Sequence, residues 1–167
     1  AAQADVLITS GGVSVGEADF VKETLNALGQ VNFWKIAMKP GKPLAFGHLG
    51  QTLFFGLPGN SVAVMATFYQ VVKPNLQRLE GENAPERLRL RVPCADDLRK
   101  APGRLDFQRG VLARDGAGNL VVRATGIQGS HVLSGMGRAN CFIILPADWG
   151  NVPAGTLVEV EPFAGLM

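Results

Sequence analysis

Cysteine and histidine are nearly missing from this chain: its 167 residues hold two of each. Cys94 and Cys141 lie far apart and in no metal-ligand spacing, and His48 and His131 have no Cys, Asp or Glu at ligand distance along the sequence, which excludes a zinc centre. For the two cysteines a disulfide and a pair of reduced, buried thiols both stand open; the thiols of a cytoplasmic protein are the favoured reading. Charge is sparse as well, 18% of residues with a formal net charge of +2. That suits a small anionic ligand and is too little to argue for nucleic acid. No apolar run reaches the length that spans a bilayer, and the first residues lack the basic region and apolar core of a secretion signal. Also missing are a Gly-x-Ser-x-Gly elbow, an assignable Ser/His/Asp set, a Walker loop and a Gly-x-Gly-x-x-Gly fingerprint.

What the chain does have is apolar material and turns. Hydrophobic residues make up 47% of it, enough for a buried core, and 21 Gly with 10 Pro imply many tight connections. The first half alternates strand and helix. Asp5-Val6-Leu7-Ile8-Thr9 reads as a buried strand from inside a parallel sheet, an element that seldom comes first, so further chain is expected before it. A helix is predicted from near Glu17 to Leu28, stopped by Gly29, then a strand over Val31 to Met38. The turn Lys39-Pro40-Gly41-Lys42-Pro43 should join no regular ladder, because its prolines lack N–H donors. Two short strands follow around Gly50, then an apolar helix from about Ser61 that Pro74 should kink or restart.

Composition changes at Gly81-Glu82-Asn83-Ala84-Pro85. Beyond it the helical period vanishes and short alternating segments take over: Leu88 to Val92, Asp106 to Leu112, Leu120 to Ala124, Cys141 to Leu145 and Leu157 to Val160. The expected division is an α/β domain over residues 1–82 and a small antiparallel β domain, a barrel, over residues 83–167.

Three loops carry the candidate chemistry. Ser10-Gly11-Gly12-Val13-Ser14-Val15-Gly16 runs from a strand into a helix, an arrangement that presents free backbone N–H groups to a phosphate or other oxyanion. Ser10 and Ser14 can add hydroxyls, and Asp19 stands in the first helical turn where it can hold a cation or orient a ligand. Taken alone, a tight turn with Asp19 complementing the helix dipole explains the same residues. Lys39 and Lys42 flank Gly41 in a turn stiffened by two prolines, either an anion clamp or a solvated surface turn. Leu57-Pro58-Gly59-Asn60 repeats the strand–Gly loop–helix junction, with Asn60 a ready N-cap. In open parallel sheets such loops lie at the carboxyl ends of strands, where ligands bind. Arg87, Arg89 and Arg91 alternate with leucines and read as a solvated strand face.

Taken in order, Thr9-Ser10-Gly11-Gly12-Val13-Ser14-Val15-Gly16-Glu17-Ala18-Asp19, Phe33-Trp34-Lys35, Lys39-Pro40-Gly41-Lys42-Pro43 and Leu57-Pro58-Gly59-Asn60 resemble MoeA-type molybdopterin molybdenumtransferases and the matching domain of gephyrin. Pro102-Gly103-Arg104-Leu105-Asp106-Phe107-Gln108-Arg109-Gly110 and Gln128-Gly129-Ser130-His131 extend the likeness into the β half, so it runs from about Asp5 to Phe163. The resemblance implies part of a MogA-like three-layer α/β domain followed by a β-barrel domain. It also implies insertion of molybdate into adenylylated molybdopterin with Mg²⁺ and release of AMP, in a cytoplasmic homodimer with a MogA-like adenylyltransferase as a possible partner. By motif match, Gly11, Gly12 and Ser14 would cradle phosphate, and Pro58, Gly59 and Asn60 would line the pocket. Asp19 would serve metal or molybdate, and Lys39 and Lys42 would hold anionic oxygens. The resemblance has limits. Ser61-Val62-Ala63 stands where the family continues with Pro, Val and Ser, and the family's N-terminal domains and further acidic site residues are not in this sequence. The isolated chain is therefore expected to be inactive while a full-length parent is active. The competing reading is a non-catalytic molybdopterin-binding or scaffold protein of the same fold. A CinA-type domain with another nucleotide substrate is disfavoured by the β half.

Overall fold

The computed structural model describes residues 3–11, 18–82, 87–129 and 133–163, without the side chains of residues 18–22. The chain divides into two compact units: Ala1–Ile36 with Pro40–Ala84, and Ala37–Lys39 with Pro85–Met167.

In the first unit, β1 (Val6–Ser10) leads to α1 (Ala18–Leu28), and β2 (Gln30–Lys35), β4 (Pro43–Leu49) and β5 (Thr52–Leu57) complete a four-stranded sheet ordered β1-β5-β4-β2. Period-2 alternation sends β4 and β5 side chains to both faces. On one face Leu25 of α1 packs with Val31, Ala45, Leu49 and Phe54. On the other, Leu44, Phe55 and Leu57 pack against Val72, with Val64, Phe68 and Leu76 behind them. Helices thus cover both faces, the three-layer arrangement. The sheet is mixed, which differs from the parallel expectation: only β1–β5 is parallel, whereas β4 pairs antiparallel with both β5 and β2. The Gly50 hairpin joins β4 and β5, and a connection that short can only make an antiparallel pair.

The second helix is three pieces. α2 (Ser61–Thr67) passes into a π-helical turn over Phe68–Val72 and then α3 (Lys73–Leu79). Pro74 explains the wide turn. It has no N–H for the Gln70 carbonyl, and its ring would collide with that carbonyl in a regular α-turn. Lys73 accordingly donates to the Phe68 carbonyl five residues back, and the helix continues after the widened turn.

In the second unit, β3 (Met38–Lys39), β7 (Leu105–Arg114), β9 (Cys141–Leu145), β10 (Leu157–Pro162) and β6 (Leu90–Pro93) lie side by side, with β8 (Leu120–Ala124) paired to the later part of β7 on the side opposite β9. An isolated bridge between Cys94 and Val122 joins the end of β6 to β8, so the sheet curls back on itself around Val92, Leu98, Val122, Ile143, Leu145, Val158 and Val160. Two expectations need correcting. Among the described residues the β half contains one short helix, α4 (Ser134–Arg138). The Lys39–Pro43 turn is flanked by ladder on both sides: Met38 and Lys39 pair with Leu105 and Asp106, and Pro43 pairs with Lys35. Proline starts a strand without loss where its missing donor is not needed, and this splits the predicted Val31–Met38 strand into β2 and β3.

Gly47 is dictated by this packing, because a Cβ there would overlap the Gln30 carbonyl oxygen and press on Val31 Cα. Gly47→Ala should therefore destabilise the protein by about 3 kcal/mol or more. Gly116→Ala, where a Cβ meets nothing, should change stability by no more than about 0.5 kcal/mol. Equal denaturant midpoints for the two variants would refute the β2–β4 register. Cys94 and Cys141 are both unpaired and buried. Burial pushes the Cys141 thiol from 9.0 up to about 12. Between those values the folded state keeps a proton that the unfolded chain has released. Stability should thus fall as pH rises above about 9, by at most about 1.4 kcal/mol per pH unit. Urea midpoints at pH 8 and 10 should show the fall in the native protein and less of it in Cys141→Ala.

Candidate functional site

Parallel pairing of β1 with β5 aligns Ser10 with Leu57, so both strands end on the same edge of the sheet. The loops that follow touch there. Gly11 turns with φ +90°, a left-handed conformation that favours glycine, and its N–H donates to the Leu57 carbonyl at 3.1 Å. Ser10 Oγ donates to the Pro58 carbonyl at 3.4 Å. A Cβ on Gly59 would come 3.6 Å from Gly11 Cα, so the two glycine loops are close neighbours.

The third loop reaches this edge through β4. Its register sets Ala45 opposite Gly56, which brings Pro43 and the preceding Lys42 to the β5 end where Leu57 and Pro58 lie. Lys42 is exposed, and Gly41 turns with φ +110°. The Lys42 carbonyl accepts the Ile36 N–H at 2.7 Å, closing the turn. Lys35, which sequence reasoning left out of the site, ends β2 opposite Pro43 and is exposed on the same edge. Only the pairing register reveals it.

Asn60 has the capping role its residue type suggested. Its Oδ1 accepts from the N–H groups of Val62 at 3.1 Å and Ala63 at 3.4 Å, and its carbonyl accepts from Val64 at 2.8 Å. Pro58 is buried and Gly59 exposed. Gly12 and Ser14 lie outside the described residues. Asp19 falls in the first turn of α1 by its backbone, with its side chain outside the description. Among the described residues no three His, Cys, Asp or Glu side chains gather to hold a metal ion. Those residues therefore do not by themselves fit a magnesium site.

Lys39 is placed differently from Lys42. It belongs to β3 in the second unit, where its Nζ lies 3.5 Å from Asp106 Oδ2 on β7. The same unit buries two cations with no carboxylate bridge to either among the described residues. Lys100 Nζ donates to the carbonyls of Ala101, Ala147 and Trp149 at 3.2, 3.4 and 3.0 Å. Arg109, the largest fully buried side chain, donates to the carbonyls of Ile127, Gln128 and Gly129 at 2.9, 3.1 and 3.1 Å. Burial lowers the Arg109 pKa, and Asp106 acts in the opposite direction. Arg87 pairs with Glu161, and Arg89 with both Glu159 and Glu161, on β10.

Two concavities of the first unit are lined by residues outside the glycine loops, the second including Lys35. One of about 740 Å³ borders Asp5, Leu28, Leu49 and Thr52 at the opposite edge. One of about 480 Å³ lies between the sheet and the π-helical turn, lined by Trp34, Phe46, Phe55 and Val71.

Residues 1–78 match the family described as a probable molybdopterin binding domain, and residues 91–163 match the MoeA C-terminal region (domain IV). The chain belongs to the MoeA family. Over 166 residues it is 51% identical to the molybdopterin molybdenumtransferase of Haemophilus influenzae, covering 99% of this chain and 41% of that protein. It is 33% identical to gephyrin of Dictyostelium discoideum over 94% of this chain and 25% of that one. A crystal structure of the molybdopterin biosynthesis MoeA protein from Pyrococcus horikoshii matches with a TM-score of 0.76 at 27% identity, covering 96% of this chain and 38% of that one. The chain thus spans about two fifths of the length of the Haemophilus MoeA-family relative.

The cap and the family departure make a paired prediction. Asn60→Ala should destabilise the protein by about 1 kcal/mol, and Asn60→Asp, which keeps the acceptor, by little. Ser61→Pro should stabilise it by up to about 1 kcal/mol, since the first helical position tolerates a missing N–H and a fixed φ. Denaturant midpoints check all three. A destabilised Ser61→Pro would mean that the Ser61 N–H is needed.

Proposed function

We propose that this chain forms part of an enzyme that inserts molybdate into adenylylated molybdopterin and releases AMP. The observation that carries the reading is the meeting of the Gly11, Lys42 and Pro58–Asn60 loops on one sheet edge, at the ends of β1 and β5. Gly11, Gly12 and Ser14 cradle the pterin phosphate through backbone N–H and hydroxyl groups, and Pro58, Gly59 and Asn60 form the adjoining wall. Lys42 and Lys39 hold anionic oxygens of the substrates, as compact, multiply donating cations do. Asp19 is assigned to Mg²⁺ or to orienting molybdate. The chemistry asked of these groups is positioning and charge stabilisation around a phosphoanhydride and an oxyanion. The same reading makes the protein a cytoplasmic homodimer that receives its substrate from a MogA-like adenylyltransferase; the unpaired, buried Cys94 and Cys141 suit a reducing compartment.

The test is AMP release by the full-length gene product supplied with adenylylated molybdopterin, molybdate and Mg²⁺. Asn60→Asp is the decisive variant, because it keeps the helix cap and turns the loop's polarity against an anion. It should keep the unfolding midpoint and lose on the order of tenfold or more in kcat/KM, about 1.4 kcal/mol of transition-state stabilisation. Lys42→Ala should fall by a similar factor. Unchanged turnover in both would remove this edge from the active site.

A further inference from the structure

We infer that Asp106 is a positioning residue for Lys39, an inference that rests on the proposed use of that lysine for anionic oxygen. Lys39 closes the two-residue strand β3, and Asp106 faces it in register on β7. Their side chains differ sharply in exposure, 43% for Lys39 and 6% for Asp106. The carboxylate is itself held. Gln108 Nε2 donates to Asp106 Oδ2 at 3.3 Å and to the Arg99 carbonyl at 2.8 Å, and Gln108 is buried. The lysine is thus gripped by an acid that is fixed in turn by an amide and the backbone.

An ion pair between two mobile surface groups orders little. Here one member is buried, and releasing Lys39 would strand a desolvated carboxylate with Gln108 as its remaining side-chain donor, a costly state. Lys39 therefore stays with Asp106 while its exposed side meets an anion. An ammonium has three N–H donors, so one can serve Asp106 while two point elsewhere. Two effects then oppose each other. The negative charge of Asp106 repels an incoming anion, while its grip removes the rotamer search that a four-rotor side chain would otherwise make. The buried anchoring through Gln108 argues that the grip wins.

The sign of one substitution decides. In the full-length protein, Asp106→Asn keeps the shape and the acceptor for Gln108 but removes the charge that holds the lysine. Positioning predicts a fall in kcat/KM for AMP release on the order of tenfold to a hundredfold, a small change in unfolding midpoint, and less than a twofold further fall when Asp106→Asn is added to Lys39→Ala. Asp106→Glu, which keeps the charge but moves it by one methylene, should also lose activity and carries the test should the asparagine variant fail to fold. Wild-type or faster turnover in the Asp106 variants, with Lys39→Ala impaired, overturns this inference and leaves the lysine's role standing. So do losses at the two positions that simply multiply. Wild-type turnover in Lys39→Ala overturns the role of the lysine and this inference together.

Discussion

Pairing β1 in parallel with β5 constrains everything at the candidate site. A parallel pair forces both strands to run out at the same edge, so chain segments nearly fifty residues apart, Gly11 and Leu57–Gly59, are delivered side by side. The antiparallel β4 then returns its starting end, with Lys42, to that edge. No single loop needs a special sequence to find the others once the registers are set. The registers in turn depend on close backbone approaches: Gly47 beside Gln30 and Gly29 beside His48 leave no room for a side chain. The chemistry at the edge therefore rests on two glycines that sit in or beside the ladders and take no part in it.

The second unit solves a different problem, the burial of cations. An ionised group taken out of water is costly unless its donors are met. Lys100 directs its ammonium at three backbone carbonyls and Arg109 its two terminal nitrogens at three more, while Arg109 Nε has no partner among the described residues. The result is that loops are tied to strands by side chains rather than by ladder. Gln128 strengthens the Arg109 tie in both directions, its Oε1 accepting the Arg109 N–H at 2.8 Å and its Nε2 donating to the Arg109 carbonyl at 3.0 Å. Removing Arg109 would leave three carbonyls without that donor. A lysine could not replace its planar fork.

Local signals made much of this legible beforehand. The helix stop at Gly29, the Gly50 hairpin, the β8 and β9 segments and the Asn60 cap are all written in spacing and residue type, because each depends on neighbours a few residues away. What escaped is non-local. The antiparallel pairing of β2 with β4, the pairing of Met38–Lys39 with β7 and the presence of Lys35 on the candidate edge depend on which strands lie side by side, and no short window of sequence encodes that. The separation of Lys39 from Lys42 is the sharpest case. Three positions apart in a motif, they belong to different compact units, one paired with Asp106 and the other exposed beside the β5 end.

Polarity at the edge follows from how its acceptors are used. The Leu57 carbonyl accepts from Gly11, the Pro58 carbonyl from Ser10, the Lys42 carbonyl from Ile36, and the Asn60 carbonyl from Val64. Asn60 Oδ1 accepts from Val62 and Ala63. Each of these oxygens is thereby turned inward, into turns and a helix cap, and its capacity to repel an anion is reduced by the donor it faces. The exposed lysines on this edge are Lys42 and, at the end of β2, Lys35. Aspartate would cap α2 as well as asparagine does, but would add a negative charge at the same spot. Asparagine satisfies the helix without placing that charge on the edge.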